Sequence, residues 1–321
     1  MNDHPSIGHR RPQVLLTGAS GFIGRHLESR LRSMQTVELF CASRTARPGP
    51  GWVVLDASQP ATYGASLAGI DTVVWLVHAM AEGKGYAARE FAEASEFARA
   101  ARAAGVQRIV YLGGLAPTGH VSRHLASRIA TGKALAASGV PVVELRASIV
   151  IGAGSEGWTI LRDLAGRLPA MLIPKWLANR TCPLDVNDAI DVLVAAIDGR
   201  LTAGIWDVPG PETLRYRDLL TRVALAMGRK PRTIGVPLLS PTLSALWLGL
   251  VTRARMPVAR ELVEGLRSDI VATQRVVWEV LGPPKVPLDE AIARALATES
   301  PPTGARIIEW IAKRITPSPS R

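Results

Sequence analysis

The sequence predicts an α/β protein with a doubly wound parallel sheet, followed by a smaller, mostly helical C-terminal cap domain. Two observations carry this prediction: apolar strand-like segments alternate with helical ones over the first 150 residues, and this alternation stops after Gly152. The predicted strands are 13–16, 37–43, 52–55, 72–77, 108–112, 142–145 and 204–208. The predicted helices are 22–32, 87–104, 125–138, 158–168 and 188–198, with irregular chain over 169–182.

These elements divide the chain into a core and a cap. The core spans 12–150, and the chain returns to it over 182–210. The cap region spans 151–181 and 211–300, and 301–321 is predicted to be a C-terminal helix with a disordered tail. A chain of 321 residues with 47% hydrophobic residues is typical of a globular protein of this size.

Charge and cysteine content restrict the classes of partner and site. The formal net charge is +11, but the arginines are scattered and no basic tract interleaves with aromatics, so no nucleic-acid partner is expected. Cys41 and Cys182 lie outside any CxxC or His/Cys cluster, which predicts no metal site and a reducing, cytoplasmic setting. The first residues lack the apolar segment of a secretory signal, and no apolar run is long enough to span a bilayer.

The most informative motif is a glycine-rich turn between the first strand and the first helix. Its glycines predict three roles: Gly18 permits the tight turn, Gly21 lets a pyrophosphate approach the backbone, and Gly24 lets helix and strand pack closely. The phosphates would meet the free N–H groups of the helix N-terminus. The turn residues are Thr17, Gly18, Ala19, Ser20, Gly21, Phe22, Ile23 and Gly24. This context predicts a dinucleotide site, the alternative being a glycine-rich turn without a ligand.

The ends of the second and third strands indicate which dinucleotide binds. Ser43 and Arg44 end the second strand, where NAD-binding proteins place an acidic residue, and Arg47 follows. An arginine there can pair with the 2′-phosphate of NADP(H), unless Arg44 only faces solvent. Asp56 ends the third strand and is predicted to reach the adenine amino group, or alternatively to cap a helix. The predicted cofactor is therefore NADP(H).

The motifs together resemble the short-chain dehydrogenase/reductase superfamily, in its extended and atypical branches. The likeness covers about residues 12–215 and rests on the TGxxGxxG fingerprint at 17–24 and on the segments 145–152 and 183–188. Segments 76–80 and 144–148 resemble a bacterial NmrA-like subgroup related to the NADPH-binding accessory subunit of respiratory complex I. The resemblance implies a Rossmann fold. The predicted cofactor-binding residues are Thr17, Gly18, Ser20, Gly21, Phe22, Ile23, Gly24, Ser43, Arg44, Asp56, Val77, His78, Gly113 and Arg128.

The sequence departs from this superfamily at its catalytic positions. Gly113 and Gly114 stand where the family has a serine, and His124 and Arg128 form H-x-x-x-R where Y-x-x-x-K is expected. Arg128 can replace the charge of the lysine but cannot act as a base. His124 could serve as an acid or base near neutral pH, and His78 is a second candidate. Both histidines could equally be ordinary hydrogen-bonded residues.

Three functions follow from these residues. The first is an NADP(H)-dependent oxidoreductase acting on a hydrophobic carbonyl compound; the second is a non-catalytic NADP(H)-binding redox sensor or assembly factor. A third, a nucleotide-sugar epimerase or dehydratase, is disfavoured because the tyrosine is missing. The uncharged segment 236–251 predicts an apolar wall, which either roofs the substrate cleft or stays exposed as a dimer face or a peripheral membrane contact.

Overall fold

The computed structural model describes residues 10–78, 85–167, 170–173, 175–229, 232–235, 261, 264–274 and 276–299. The strands are β1 (Gln13–Leu16), β2 (Glu38–Ser43), β3 (Trp52–Val54), β4 (Thr72–Trp75), β5 (Arg108–Gly114), β6 (Val142–Ala147), β7 (Val150–Ile151), β8 (Ala170–Ile173), β9 (Arg180–Thr181), β10 (Leu184–Asp185), β11 (Gly204–Val208), β12 (Leu214–Arg215) and β13 (Arg232–Gly235). The α-helices are α1 (Phe22–Met34), α2 (Tyr63–Leu67), α3 (Tyr86–Ala103), α4 (Arg123–Ala136), α5 (Glu156–Arg167), α6 (Val186–Ile197), α7 (Tyr216–Ala226), α8 (Trp278–Leu281) and α9 (Leu288–Thr298).

Seven of these strands form one parallel sheet in the order β3-β2-β1-β4-β5-β6-β11. The chain starts in the middle at β1, moves outward to β3, and then crosses back to β4 on the other side of β1. The carboxyl ends of β1 and β4 therefore flank the point where the winding direction reverses, which is where such sheets bind ligands. The predicted fold class is confirmed.

Successive residues of the strands point into two separate apolar layers. Val14 and Leu16 of β1 pack on the side of α1 and α6, whereas Leu15 packs on the side of α2, α3 and α4. All three are fully buried. A strand with both faces buried has a continuous run of apolar residues, which is why the sequence predicts β1.

The cap is built around a third apolar cluster, formed mainly by α5, α7 and α9. Three short two-stranded pairings lie outside the central sheet: β7 with β10, β9 with β12, and β8 with β13. The prediction of irregular chain over 169–182 is wrong, because β8 and β9 lie in this range. Their partners β13 and β12 are 30 or more residues further along the chain, so no local sequence pattern predicts the pairing.

The fourth strand ends at Trp75 and not at residue 77, because the next backbone N–H, that of Leu76, donates to the Thr17 hydroxyl (3.1 Å). The apolar segment 236–251 and the C-terminal segment 301–321 lie outside the described residues. Among the helices that the structure describes, none is both long enough and apolar enough to cross a membrane.

Candidate functional site

The glycine-rich turn has no space for side chains at its first and third glycines. Gly18 has a φ of +66°, and a Cβ there would lie 2.9 Å from the carbonyl oxygen of Leu76. A Cβ on Gly24 would lie 2.3 Å from the carbonyl oxygen of Gly18 and 2.7 Å from the Cα of Ala19. The turn is therefore in direct backbone contact with the residue that follows β4, and α1 with the turn, as the spacing of the glycines predicts.

Thr17 fastens this turn to the neighbouring strand. Its buried hydroxyl donates to the carbonyl oxygen of Val74 (3.0 Å) and accepts from the N–H of Leu76 (3.1 Å). Because the hydroxyl both donates and accepts a hydrogen bond within the protein, Thr17 positions the turn beside the cleft.

The N-terminus of α1 opens toward the cleft and carries a basic residue that sequence analysis missed. Gly21 is the N-cap and contributes no side-chain cap, so the first N–H groups of α1 face outward. Arg25, in the first turn, donates to the carbonyl oxygen of Ser20 (2.5 Å). One of its terminal nitrogens lies 3.9 Å from the position of a Cβ on Gly154. The guanidinium thus lies between the glycine turn and the loop after β7, beside the expected phosphate position.

The end of β2 is followed by two arginines, Arg44 and Arg47, and both line the cleft. Arg47 donates through Nε to the Ser43 hydroxyl (3.2 Å), and its guanidinium lies over the Trp52 ring at 4.9 Å. Arg44 is exposed and lines the cleft. Asp56 also lines it, but its Oδ1 accepts from the N–H and hydroxyl of Ser58 (3.0 and 2.8 Å). Asp56 therefore stabilises a turn, and the alternative that it caps a helix is wrong.

A single continuous cleft of about 1300 Å³ joins these features to the cap. It runs along the carboxyl ends of β1, β2, β4 and β5 and continues between α4, α5 and α7. Every residue predicted for the site lines it: Thr17, Gly18, Ser20, Gly21, Phe22, Ile23, Gly24, Ser43, Arg44, Asp56, Val77, His78, Gly113, His124 and Arg128. The structure thus brings together residues that are up to 111 positions apart in the chain.

The H-x-x-x-R pair lies on α4 beside the end of β5. Arg128 donates to the carbonyl oxygen of Leu112, and its own carbonyl oxygen accepts from the Tyr111 hydroxyl (3.0 Å). The rings of His124 and His78 are 6.3 Å apart between centroids. Burial, followed by the charges of Arg128 and His78, lowers the pKa of His124 to about 3. His124 is therefore a neutral imidazole at pH 7, and the expectation that it titrates near neutral pH is wrong.

The two glycines at the end of β5 leave the expected serine position without a side chain. A Cβ on Gly114 would lie 2.9 Å from Cδ2 of Leu125, and a Cβ on Gly113 would lie 3.2 Å from the Tyr111 ring. Leu125 thus occupies part of the space that a side chain at position 114 would need. A methyl group, and not a hydroxyl, faces this part of the cleft.

The cap end of the cleft is mainly apolar. Its apolar lining comes from the loop around β7, from α5 and α7, and from two later segments, and comprises Ile149, Val150, Ile160, Leu161, Leu164, Leu177, Leu220, Leu266 and Ile270. Polar groups here are few. Ser148, Tyr216 and Glu261 line it, and the Ser148 hydroxyl is hydrogen bonded to the hydroxyl of Thr181 (2.7 Å). Sequence analysis identified none of these three lining residues as site residues, because no spacing pattern links them.

Comparison with known proteins agrees with this geometry. Residues 18–163 match the family model described as NAD(P)H-binding. This part of the chain is an NAD(P)H-binding domain. No curated protein sequence matches the chain.

Solved structures show the same fold at low sequence identity. A nucleoside-diphosphate-sugar epimerase from Staphylococcus aureus superposes with a TM-score of 0.69 at 16% identity, over 88% of this chain and 99% of that one. A triphenylmethane reductase from Citrobacter superposes with a TM-score of 0.67 at 17% identity, over 89% and 100%. RMD from Pseudomonas aeruginosa, solved with NADPH, superposes with a TM-score of 0.61 at 15% identity, over 89% and 98%.

The residues present fit a nicotinamide dinucleotide. Gly18 and Gly24 allow the backbone contacts that shape the turn, the N-terminus of α1 faces the cleft, and Arg25 adds a positive charge beside it. Pyrophosphate needs these features: close backbone approach, free N–H groups and positive charge.

Proposed function

We propose that the protein is an NADP(H)-dependent oxidoreductase that acts on a hydrophobic, carbonyl-type small molecule. The observation that carries this proposal is the continuity of the cleft, which leads from the glycine turn past His124 and Arg128 into an apolar cap. A nicotinamide dinucleotide laid on the turn would direct its reactive ring toward this apolar end. Within the short-chain dehydrogenase/reductase superfamily, we propose the atypical, NmrA-like branch and a cytoplasmic location.

The preference for NADP(H) over NAD(H) rests on Arg44. Its exposed side chain lines the cleft at the end of β2, where the 2′ position of the adenosine ribose lies in proteins of this fold. Arg47 also lines the cleft, bonded to Ser43 and lying over Trp52, so it would add to the positive charge that Arg44 brings to this strand end.

At the nicotinamide end, the main role of Arg128 and His124 would be to position the substrate, and neither would transfer a proton to it. The nicotinamide supplies a hydride when it is bound. Arg128 stabilises negative charge that develops on a substrate oxygen, and neutral His124 can donate a hydrogen bond from its N–H. The proton that completes a carbonyl reduction would come from His78 or from water. At the end of β5 a substrate would meet the Leu125 side chain, which occupies part of the space beside Gly114.

A second function has its own observation in favour. The expected serine and tyrosine are absent, and His124 is held neutral, so the cleft lacks the proton-transfer groups of the superfamily. This favours a non-catalytic NADP(H)-binding redox sensor or assembly factor.

Turnover measurements separate the two functions. Once NADPH binding is established, its oxidation at 340 nm is followed against a panel of apolar aldehydes and ketones. The oxidoreductase proposal predicts turnover of at least one apolar carbonyl and a lower kcat, with unchanged NADPH affinity, for His78→Gln. NADPH binding without oxidation by any member of the panel would support the sensor instead.

A further inference from the structure

Ser148 directly follows β6, beside the end of β5 where the expected serine is missing. In the pairing of these two strands Gly113 lies opposite Arg146 and Gly114 opposite Ala147, so Ser148 is the next residue along the neighbouring strand. Ser148 lines the same cleft as the two glycines. A hydroxyl is therefore present at this edge of the sheet, although β5 itself ends without one.

The alternation along β6 assigns Ser148 to the side of the sheet that α4 covers. Ala147 packs in the apolar layer on the opposite side, with α1 and α6. The Glu144 carboxylate lies against α4, 2.5 Å from the position of a Cβ on Gly132. The pairing continues through the end of the strand, because the N–H of Leu115 donates to the carbonyl oxygen of Ala147 (3.0 Å). Ser148 thus lies on the same face as Glu144, toward the helix that carries the H-x-x-x-R pair.

Two buried hydroxyls lie behind Ser148. The hydroxyls of Ser148 and Thr181 are hydrogen bonded (2.7 Å), and either of them can be the donor. Tyr216, the first residue of α7, is fully buried, and its hydroxyl is left without a hydrogen bond among the described residues. Burial raises the pKa of Tyr216, and the Thr181 hydroxyl opposes that rise through hydrogen bonding. Thr181 therefore neighbours both of the other hydroxyls, although the bond to Tyr216 is not closed.

The favoured arrangement of the hydroxyl protons directs one of them into the cleft. Three hydroxyls carry three protons, whereas the chain from Ser148 through Thr181 to Tyr216 has two links, so one proton remains at one end. At the Tyr216 end this proton would be buried without an acceptor among the described residues, which is unfavourable. Ser148 is only partly buried and lines the cleft. The Ser148 O–H is therefore the one left to donate to a ligand.

The Cys182 thiol is a competing acceptor for this proton. Burial raises the pKa of Cys182 to about 11, and hydrogen bonds from the backbone and from Ser148 oppose the rise. The thiol directs its own proton to the carbonyl oxygen of Ile270 (3.6 Å). Because sulfur is a weak hydrogen-bond acceptor, an oxygen atom that enters the cleft competes with it successfully.

We infer that Ser148 donates a hydrogen bond to the carbonyl oxygen of the substrate and so supplies, from the end of β6, the hydroxyl that β5 lacks. The inference rests on the proposed oxidoreductase function. In that reaction the carbonyl carbon gains the hydride that the reduced nicotinamide gives up, and the π electrons move to the oxygen. The bond from Ser148 strengthens as this negative charge develops. The oxygen then takes its proton from His78 or from water, while Ser148 keeps its own.

A chromophoric aldehyde tests this hydrogen bond without requiring turnover. 4-(Dimethylamino)cinnamaldehyde is largely apolar, and its absorption band moves to longer wavelength when its carbonyl oxygen accepts a hydrogen bond. The hydrocarbon in which a methyl group replaces its formyl group is a matched ligand without the acceptor. Both are titrated in the presence of NADP⁺, which cannot reduce the aldehyde. The variants are Ser148→Ala, Tyr216→Phe and Cys182→Ala.

The inference predicts that the aldehyde band moves to longer wavelength on binding to wild type. Ser148→Ala should move the band back toward its position in the free aldehyde and weaken aldehyde binding about threefold or more. Binding of the hydrocarbon should change by less than about twofold. Tyr216→Phe and Cys182→Ala should keep the wild-type band, because both retain the Ser148 hydroxyl.

Three outcomes overturn the inference: no shift of the band in wild type, a wild-type band in Ser148→Ala, or a larger loss of the shift in Tyr216→Phe than in Ser148→Ala. The last outcome would assign the donor to Tyr216. If Ser148→Ala does not fold, Ser148→Cys, kept reduced, takes its place, since a thiol is a weak donor. A wild-type band in that variant overturns the inference, and a band moved back toward the free aldehyde supports it.

Turnover then distinguishes this inference from the function on which it rests. Oxidation of NADPH by the aldehyde in wild type, with kcat/KM lowered in Ser148→Ala by more than the loss of binding, supports both. Equal kcat/KM in wild type and Ser148→Ala contradicts the role of Ser148 and leaves the oxidoreductase function intact. Absence of NADPH oxidation by any carbonyl contradicts the oxidoreductase function, while the titrations still decide whether Ser148 binds a carbonyl oxygen.

Discussion

Replacing Gly24 with alanine places a methyl group inside the backbone contact between the glycine turn and α1. The new Cβ would lie 2.3 Å from the carbonyl oxygen of Gly18 and 2.7 and 2.8 Å from two backbone atoms of Ala19. No real Cβ tolerates these distances, and none of the three atoms belongs to a side chain that can turn away. The turn must therefore move away from α1.

The size of the effect follows from this rigidity. Overpacking a tight contact costs about 1–3 kcal/mol, and we expect the upper part of this range because backbone must shift. The displaced turn also loses its alignment with the N–H groups of α1, on which the phosphates of either dinucleotide depend. We expect dissociation constants for NADPH and NADH to rise together by about tenfold or more, since about 1.4 kcal/mol corresponds to a factor of ten.

Gly64 offers a matched control within the same chain. It lies in α2, and a Cβ there would meet no atom within 4 Å. Gly64→Ala should leave cofactor affinity unchanged and leave the free energy of unfolding equal or higher by up to about 1 kcal/mol. Both variants are titrated with both dinucleotides by calorimetry and unfolded in urea. Wild-type affinity and wild-type stability in Gly24→Ala would show that the turn accepts a methyl group at this contact.

Three further predictions concern charged groups. Arg25→Gln should weaken the binding of NADPH and of NADH by the same factor, about fivefold or more, because both dinucleotides carry the pyrophosphate. If parallel titrations show weaker binding of only one dinucleotide, Arg25 does not lie beside the pyrophosphate. The pKa of His124 is about 3 in the folded protein and 6.5 in the unfolded chain. As the pH falls, the unfolded chain therefore takes up the proton first, and the free energy of unfolding decreases from about pH 6.5 downward. Urea unfolding at several pH values should show this slope flattened in His124→Gln, and an unchanged slope would be inconsistent with the lowered pKa. The Glu299 carboxylate accepts hydrogen bonds from the N–H of Gly154 (2.9 Å), from Nε1 of Trp158 (3.2 Å) and from buried Arg162. Glu299→Ala should therefore lower the free energy of unfolding by about 1–3 kcal/mol. A variant as stable as wild type in the same assay would show that these bonds contribute nothing.

The central sheet was predictable because its signals are local. β1 and β11 have the predicted limits, 13–16 and 204–208, and the remaining sheet strands differ by one or two residues at an end. Each is an apolar run bounded by turn residues, and the glycine turn fixes where the first helix begins. The exact ends of the strands depend on tertiary contacts instead. For example, β4 ends where the N–H of Leu76 donates a hydrogen bond to the Thr17 hydroxyl.

The residues that line the cleft beside the glycine turn were predictable for the same reason, whereas those at the cap end were not. The predicted residues within 17–24 and at 43, 44 and 56 lie at strand ends that meet at one edge of the sheet and line the cleft there. Arg25 could have been identified from its place in the first turn of α1, where a positive charge opposes the helix dipole and so indicates an anion. Leu177, Tyr216 and Glu261 come from separate segments joined only by long-range packing. The low pKa of His124 depends on that same burial, which no spacing of residues reveals.

The preference for NADP(H) is measured by a pair of equilibrium titrations of the wild-type protein with NADPH and with NADH, repeated on Arg44→Asp. We expect wild type to bind NADPH the more tightly, and Arg44→Asp to lose about 1.5–3 kcal/mol of binding free energy for NADPH while its affinity for NADH changes little. Equal dissociation constants for the two dinucleotides in wild type, or binding of neither, would contradict it.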